Sequence, residues 1–433
     1  MRFSLSITAA FVLAVFVQPQ SDTTALAAED GGLVPVEGEG VNHWPRWRGP
    51  GGQGVAKGNF PDRWSGTKNV IWKVETPGRG NSQPIVWKDR IVLSTSYDGG
   101  KRRSLLCFSA EDGSRLWESF APEAQPEGAS GKNGHASSTP STDGEHVYAY
   151  FGNHGLLCVK LADGEHVWHR PIDPIRTRHG TACSPLLHGG LVIVYQDQND
   201  GKSFIGAFDT RSGAVKWKTP RPSESVGWGS PVAVRCGDRV EIVVNGQRHV
   251  YGYDPRTGAE LWKVRGTTDE VTPTPVAGKG LIYCSSGRAG PTLAIRPGGT
   301  GDVTKSHVAW STSRGSPFVP STVLVDDLLF LVNDVAGVAS CLDARTGKTK
   351  WQKRLDGSGF SASLVATINP REEQARVFFT AEDGRTFVVR AAAEFELLGV
   401  NDLGEKCLAT PALAGGRWYF RTEKRLFCIG RSK

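Results

Sequence analysis

One motif recurs along this chain and dictates what it can fold into. It appears as "CFSAEDGSRLW" (107–117), "CVKLADGEHVW" (158–168), "AFDTRSGAVKW" (207–217), "GYDPRTGAELW" (252–262) and "CLDARTGKTKW" (341–351). In every copy a tryptophan follows a glycine by four residues: Gly113 and Trp117, Gly164 and Trp168, Gly213 and Trp217, Gly258 and Trp262, Gly347 and Trp351. A looser copy ends in Trp310, and another, near Leu398, has lost the tryptophan. A fixed interval of this kind marks a stacked or closed array of one supersecondary unit.

Each copy reads mechanically as a hairpin. The apolar run before the turn is a strand, and D-x-x-[ST]-G, with Asp209, Asp254 or Asp343, is a tight turn closed by the Asp side chain and opened by glycine. The tryptophan lies on the return strand. Upstream of each hairpin a Ser or Thr before Pro ("SSTPSTDG", "ACSPLLHG", "WGSPVAV", "TPTPVAG", "ATPALAG") opens one strand, and a short apolar run such as "VYAY", "LVIV", "LIYC" or "RWYF" forms another. Four strands make a unit with two apolar faces, which buries both only by stacking around an axis. The expected fold is all-β, an eight-bladed β-propeller of four-stranded antiparallel blades.

Two counts agree on eight. Inner strands begin near Ser82, Ser138, Cys183, Gly229, Pro273, Val319, Ser361 and Ala409, while outer strands carry Trp117, Trp168, Trp217, Trp262, Trp310, Trp351 and Leu398. The last unit runs out of chain after three strands. The lone strand "NVIWKVE" at 69–75, with Trp72, supplies the fourth and closes the ring, which gives about 45 residues per blade. The expected docking tryptophans are Trp72, Trp117, Trp168, Trp217, Trp262, Trp310 and Trp351, each packed between neighbouring sheets and worth about 3–5 kcal/mol on removal.

Residues 1–27 read as an export signal, with Arg2 ahead of an apolar stretch and Ala25-Leu26-Ala27 as a small-x-small cleavage site. The stretch is short for a membrane span and no second one follows, so no transmembrane segment is expected after signal removal. The protein is expected in the periplasm or outside the cell. Residues 28–68 form an irregular N-terminal extension and 69–430 a single propeller domain. "GPGGQG" (49–54) matches G-x-G-x-x-G without a preceding strand or following helix, and reads as a flexible lead-in.

The formal charge of +7 is scattered with no run of five cations, which argues against a nucleic-acid partner. Eight cysteines in an exported chain could pair. Cys107, Cys158, Cys341 and Cys428, however, fall in one repeat column with Ala207 and Gly252, a position that wants a small buried side chain. One or two bridges stay open among Cys183, Cys236, Cys284 and Cys407. No C-x-x-C, phosphate loop or G-x-S-x-G elbow occurs.

Ligands of propellers bind where loops converge on the channel mouth. The segments leading into inner strands carry Arg79, Asn81, His135, Arg178, His179, Trp228, Asp269, Glu270, Arg314, Phe360 and Lys406, a mixed set suited to an anionic or carbonyl-bearing ligand or an acidic peptide. His135 and His179 lack a third donor for a metal. Asp197, Asn199 and Asp200 in "QDQNDGKS" read as a hairpin turn.

The pattern A-x-D-x-x-x-G-x-x-x-W, as in Ala207, Asp209, Gly213 and Trp217, resembles the tryptophan-docking repeat of quinoprotein-type propellers. Over 69–430 the chain resembles the pyrroloquinoline-quinone-like, BamB-like β-propeller repeat family, and "WPRWRGPGGQG" (44–54) is similar to the start of many exported bacterial members. The resemblance implies the fold, and for quinoprotein dehydrogenases it implies a funnel cofactor beside adjacent cysteines, a calcium ion and an Asp base. No two cysteines are adjacent here, so no cofactor is expected. The expected function is a monomeric, exported, non-catalytic scaffold that binds an envelope protein or a small ligand. The alternatives are an oxidoreductase using pyrroloquinoline quinone with calcium, and glycan recognition through surface aromatics Trp44, Trp47 and Trp64.

Overall fold

The Asp side chain of each repeat starts the hairpin from within. Asp209 Oδ1 accepts the backbone N–H groups of Arg211 and Ser212 and the Ser212 hydroxyl, at 3.0–3.1 Å. Asp343 does the same for Thr346. In this computed structural model, which describes Gly32 and residues 42–287, 290–371 and 374–431, these hairpins belong to eight sheets. The export signal expected over residues 1–27 lies outside the described residues.

Each sheet is a blade that steps outward from the axis. The inner strands are Ile85–Trp87, Ser141–Thr142, Leu186–His188, Val232–Cys236, Val276–Gly278, Val323–Val325, Val365–Asn369 and Ala412–Ala414, and they define blades 1 to 8 in that order. Blade 8 borrows its outer strand from the other end of the chain: Val70–Glu75 runs antiparallel to Arg425–Ile429, with Trp72 opposite Cys428. The fold is an eight-bladed propeller closed by its N-terminal strand.

The small-residue column has a specific geometry. Cys107, Cys158, Ala207, Gly252, Ala294, Cys341 and Cys428 each lie directly across from a tryptophan, and a register shift follows at once in every blade. Such a bulge aims the large side chain sideways into the next blade. There the indole N–H donates to a turn carbonyl: Trp72 to Ala110, Trp117 to Leu161, Trp168 to Thr210, Trp217 to Pro255, Trp310 to Ala344 and Trp351 to Ala392, at 2.8–3.3 Å. The turn glycine of that same neighbour lies against the indole face, so close that a Cβ on Gly113, Gly164, Gly213, Gly258 or Gly347 would fall 2.3–2.7 Å from it. Glycine and tryptophan of adjacent blades are therefore one lock.

Trp262 departs from the pattern. Blade 5 replaces the tight turn with a longer connection between Thr292–Ile295 and Val308–Thr312, whose Gly301–Asp302 segment adds a parallel strand beside Trp262 and Lys263. No turn carbonyl is offered, and the Trp262 N–H goes instead to Glu241 Oε2 of its own blade, 2.7 Å away.

All eight cysteines are outside disulfides, seven of them buried. Burial pushes the Cys107, Cys158, Cys183, Cys341, Cys407 and Cys428 thiols up to about 12. Their role is that of small apolar side chains.

The extension corrects two expectations. "GPGGQG" is not a flexible lead-in: residues 44–57 run inside the channel and pair with its walls. Trp44 exchanges backbone hydrogen bonds with Val86 of blade 1, the Pro45 carbonyl accepts from Thr142 of blade 2, and Val55–Lys57 lies parallel to Ala366–Ile368 of blade 7. Between these arms the chain reverses at Gly49, whose φ of 68° and approach to the Trp44 ring, 2.4 Å from a would-be Cβ, leave no room for another residue. Nor are the three aromatics on the surface. Trp44 and Trp64 are buried, at 0 % and 4 % exposed, and Trp47 faces the channel. Backbone pairing to inner strands, absent from any local pattern, is what orders this segment.

Candidate functional site

Above the segment 44–57 the channel is a blind funnel. Its floor is built by the residue that opens each inner strand, the Ser or Thr that often precedes proline. The backbone N–H of Gln83 donates to Thr139 Oγ1, Thr139 to Ser184, Ser184 to Ser230, Ser230 to Thr274, Thr274 to Ser321, Ser321 to Ser363 and Ser363 to Thr410, each bond 2.8–3.1 Å. Blades 1 to 7 each hand this N–H to the side chain of the next. Blade 1 has no hydroxyl here; Gln83 takes its place, donating from Nε2 to the Pro411 carbonyl at 2.7 Å and accepting the Arg48 N–H at 2.8 Å. The ring is thereby tied to blade 8 and to the segment beneath. Proline after the hydroxyl residue holds it extended and leaves no N–H of its own to satisfy. Ser321 and Ser363 lack that proline, and it is there that Arg48 docks, donating to the Thr322 and Leu364 carbonyls.

The cavity over this floor has a volume of about 260 Å³. Its lower wall carries Ser184, Ser230, Thr274, Ser321, Ser363 and Thr410 with the Trp47 indole, which donates to Thr274 Oγ1 at 3.0 Å. Its upper wall carries Asn81, Ser130, Lys132, Asn133, His179, Trp228 and Phe318. His179 and Trp228 meet edge to face at 5.9 Å, and the Trp228 N–H is fixed on the Gly180 carbonyl.

A loop from blade 1 to blade 2 arches across the mouth. Arg79 donates to the Gly131 carbonyl, Asn81 to those of Lys132 and Asn133, and Asn133 to that of His179. Lys132 then reaches Glu382 of blade 7 at 2.6 Å. Beneath the same loop a buried pair anchors it: Arg103 holds Glu127 with two bonds of 2.8–2.9 Å, both side chains 0 % exposed. Burial pushes the Glu127 carboxyl up, but the Arg103 charge and its hydrogen bonds outweigh this and hold it below the usual range. A second such pair, Arg221 with Asp197, is equally buried and wrapped by Tyr195, Tyr251 and Tyr253. Asp197 is thus part of an ion pair as well as of its turn.

Of the residues expected at the mouth, Asn81, His179 and Trp228 line the cavity. The others stand apart from it. Arg79 is committed to the loop backbone, and His135 accepts from Arg103. Arg178 lies in an outer groove with Arg176, Asp269 pairs with Arg248, and Phe360 is buried. Glu270, Arg314 and Lys406 are absent from the lining. Sequence reasoning took long side chains from the loops and passed over the hydroxyls at the strand starts, although the Ser/Thr-Pro recurrence marked them. Trp47 and Lys132 carried no such signal. No group of three metal-ligating side chains occurs among the described residues, and none of their helices is long and apolar enough to cross a membrane.

Comparison with known proteins places this geometry. The family described as outer membrane protein assembly factor BamB matches residues 64–184, 175–353 and 303–394. Among solved structures, BamB from Moraxella catarrhalis is 15% identical with a TM-score of 0.58, over 84% of this chain and 97% of that one. Quinohemoprotein alcohol dehydrogenase from Comamonas testosteroni is 13% identical with a TM-score of 0.66, over 90% and 81%. A computationally designed protein, Ika8, is 11% identical with a TM-score of 0.59, over 84% and 99%. At these identities the likeness is one of fold. Comparison with curated proteins gives no match.

Proposed function

Because this chain belongs to the family of the outer membrane protein assembly factor BamB, built on pyrroloquinoline-quinone-like propeller repeats, we propose that it is an exported, non-catalytic binding scaffold of the cell envelope. The observation that carries this reading is the blind funnel: residues 44–57 stop the channel from below, and what remains is a walled pocket on a rigid disc, with hydroxyls and amides set among aromatic and aliphatic side chains. Such a shape holds a ligand or a partner's segment without needing to move. The family's description, an assembly factor of the outer membrane, and the export signal expected over residues 1–27 support the envelope location.

The lining speaks against the alternative, an oxidoreductase of the quinoprotein kind. A funnel quinone with calcium needs carboxylate and amide oxygens on the metal and a carboxylate base, and no carboxylate is in the lining. Its one ammonium, Lys132, is already paired with Glu382. The residues present do not fit that group. For glycan recognition by Trp44 and Trp64 the burial of both indoles is equally unfavourable.

The test is a titration of the purified chain, lacking residues 1–27, with pyrroloquinoline quinone and calcium, read by absorbance, thermal unfolding and dye reduction with alcohols. The scaffold reading expects no saturable change in any of the three. Saturable binding accompanied by alcohol-dependent dye reduction would replace it with the oxidoreductase.

A further inference from the structure

A hydroxyl has one proton to donate and two lone pairs to accept with. In the ring, Thr139, Ser184, Ser230, Thr274, Ser321, Ser363 and Thr410 each use a lone pair on the N–H of the preceding blade, and Thr274 accepts the Trp47 indole as well. Among the described residues none of these hydroxyls has an acceptor for its proton. All but Thr139 line the cavity. The funnel floor is therefore a circle of O–H donors, and an N–H on each oxygen polarises it further.

Two guanidinium groups stand at this floor with no carboxylate bonded to them among the described residues. Arg48 is 0 % exposed and donates only to the carbonyls of Gln53, Thr322 and Leu364, the last two adjoining the ring residues Ser321 and Ser363. Arg421, 3 % exposed, donates to Ser82 Oγ and the Ser94 carbonyl, Ser82 adjoining Gln83. Burial lowers both to about 9 and leaves them charged at neutral pH. The contrast is with Arg103 and Arg221, equally buried, each of which holds a carboxylate in two bonds. Buried charges are ordinarily paired. Among the described residues no counter-charge is bonded to these two guanidinium groups, and the ring hydroxyls face the cavity.

We propose that the funnel floor is an oxoanion site: a carboxylate or phosphate group seated on the hydroxyls of Ser321, Ser363 and Thr410, with Arg48 and Arg421 supplying positive charge from behind the ring. This rests on the funnel being a ligand site. A neutral polyol suits the floor less well, because each of its own hydroxyls also needs an acceptor and the floor is furnished chiefly with donors. The Trp47 indole beside the hydroxyls and the Phe318 ring above leave the rest of the ligand room to be apolar.

Calorimetric titration of the chain lacking residues 1–27 with inorganic phosphate, succinate and glucose tests this in low-salt buffer at pH 7. One-site binding of phosphate or succinate is expected, with glucose silent, and the arm that binds identifies the oxoanion. The double variant Ser363→Ala, Thr410→Val should weaken that binding at least tenfold. Should that variant not fold, the unmutated protein still decides: its thermal midpoint must rise with anion concentration beyond the rise given by chloride at equal ionic strength. Binding of glucose alone, no saturable binding of either anion, or unchanged affinity in a folded double variant would each overturn the site. Those outcomes leave the scaffold reading standing, because alcohol-dependent dye reduction with quinone is what removes it.

Discussion

The Trp64 indole lies 5.2 Å from that of Trp418, in the seam between blades 7 and 8 where the repeat supplies no tryptophan. Phe378 of blade 7 stacks on it at 6.1 Å and meets Trp418 edge to face at 4.5 Å, and the register position that carries tryptophan in other blades is here Gly399, covered by Arg63. Two residues of the extension thus occupy the place of one missing docking residue. Trp64→Ala should lower stability by about 3–5 kcal/mol, as expected for a fully buried tryptophan, and so match Trp217→Ala. Urea unfolding checks it, and a loss below about 1 kcal/mol would mean that the extension merely covers the seam.

The lock between glycine and tryptophan separates two costs that usually travel together. Gly258 and Gly404 have nearly equal φ, 73° and 70°, but a Cβ on Gly258 would fall 2.3 Å from Trp217 whereas one on Gly404 meets nothing within 4 Å. Gly404→Ala should therefore cost about 1–2 kcal/mol, the left-handed backbone alone. Gly258→Ala adds displacement of a packed indole, about 1–3 kcal/mol more. Equal losses in the two variants, measured by denaturant unfolding, would show that the turn and not the contact fixes the glycine.

How far the molecule was legible follows from where each contact sits in the chain. The eight blades, the closure by Trp72 and the small column opposite the tryptophans rest on contacts that repeat, so period and residue type expose them. The role of Trp64, the passage of residues 44–57 through the channel and the pairs Arg103 with Glu127 and Arg221 with Asp197 join segments with no shared period. Hydrogen bonding across hundreds of residues, as from Trp47 to Thr274, leaves no local trace. The funnel lay between these cases. Its hydroxyls recur before proline, yet their chemistry emerges only when each is seen to accept from the blade before it.

The arch over the funnel is held unequally at its two ends. Arg103 and Glu127 are fully buried, so Glu127→Ala strands a guanidinium and should cost about 3–5 kcal/mol. Lys132 is more than half exposed at 56%, and its pair with Glu382 should contribute less than about 1 kcal/mol. Lys132→Ala is accordingly expected to leave urea unfolding nearly unchanged while speeding limited proteolysis within residues 126–137. Cleavage at the unaltered rate would place the hold on the loop in Asn81 and Asn133 instead.

Acid should destabilise the propeller well before its carboxylates titrate. Burial lowers His43, His135, His154, His188 and His249 below the ordinary imidazole value of 6.5. A group whose folded pKa lies below its unfolded one binds more protons when unfolded, so its contribution is complete above the unfolded pKa and declines as pH falls through 6.5 towards the folded value. His154 makes the strongest case. It is 1 % exposed, its Nε2 donates to the Lys101 carbonyl at 2.9 Å, and its Nδ1 has no partner among the described residues, so a second proton there would be buried near Arg103. The thermal midpoint should fall steadily between pH 7 and pH 5, and His154→Gln, which keeps a donor for Lys101, should flatten part of that slope. A midpoint constant over this range would mean that the five imidazoles reach water when protonated and that their burial has no cost.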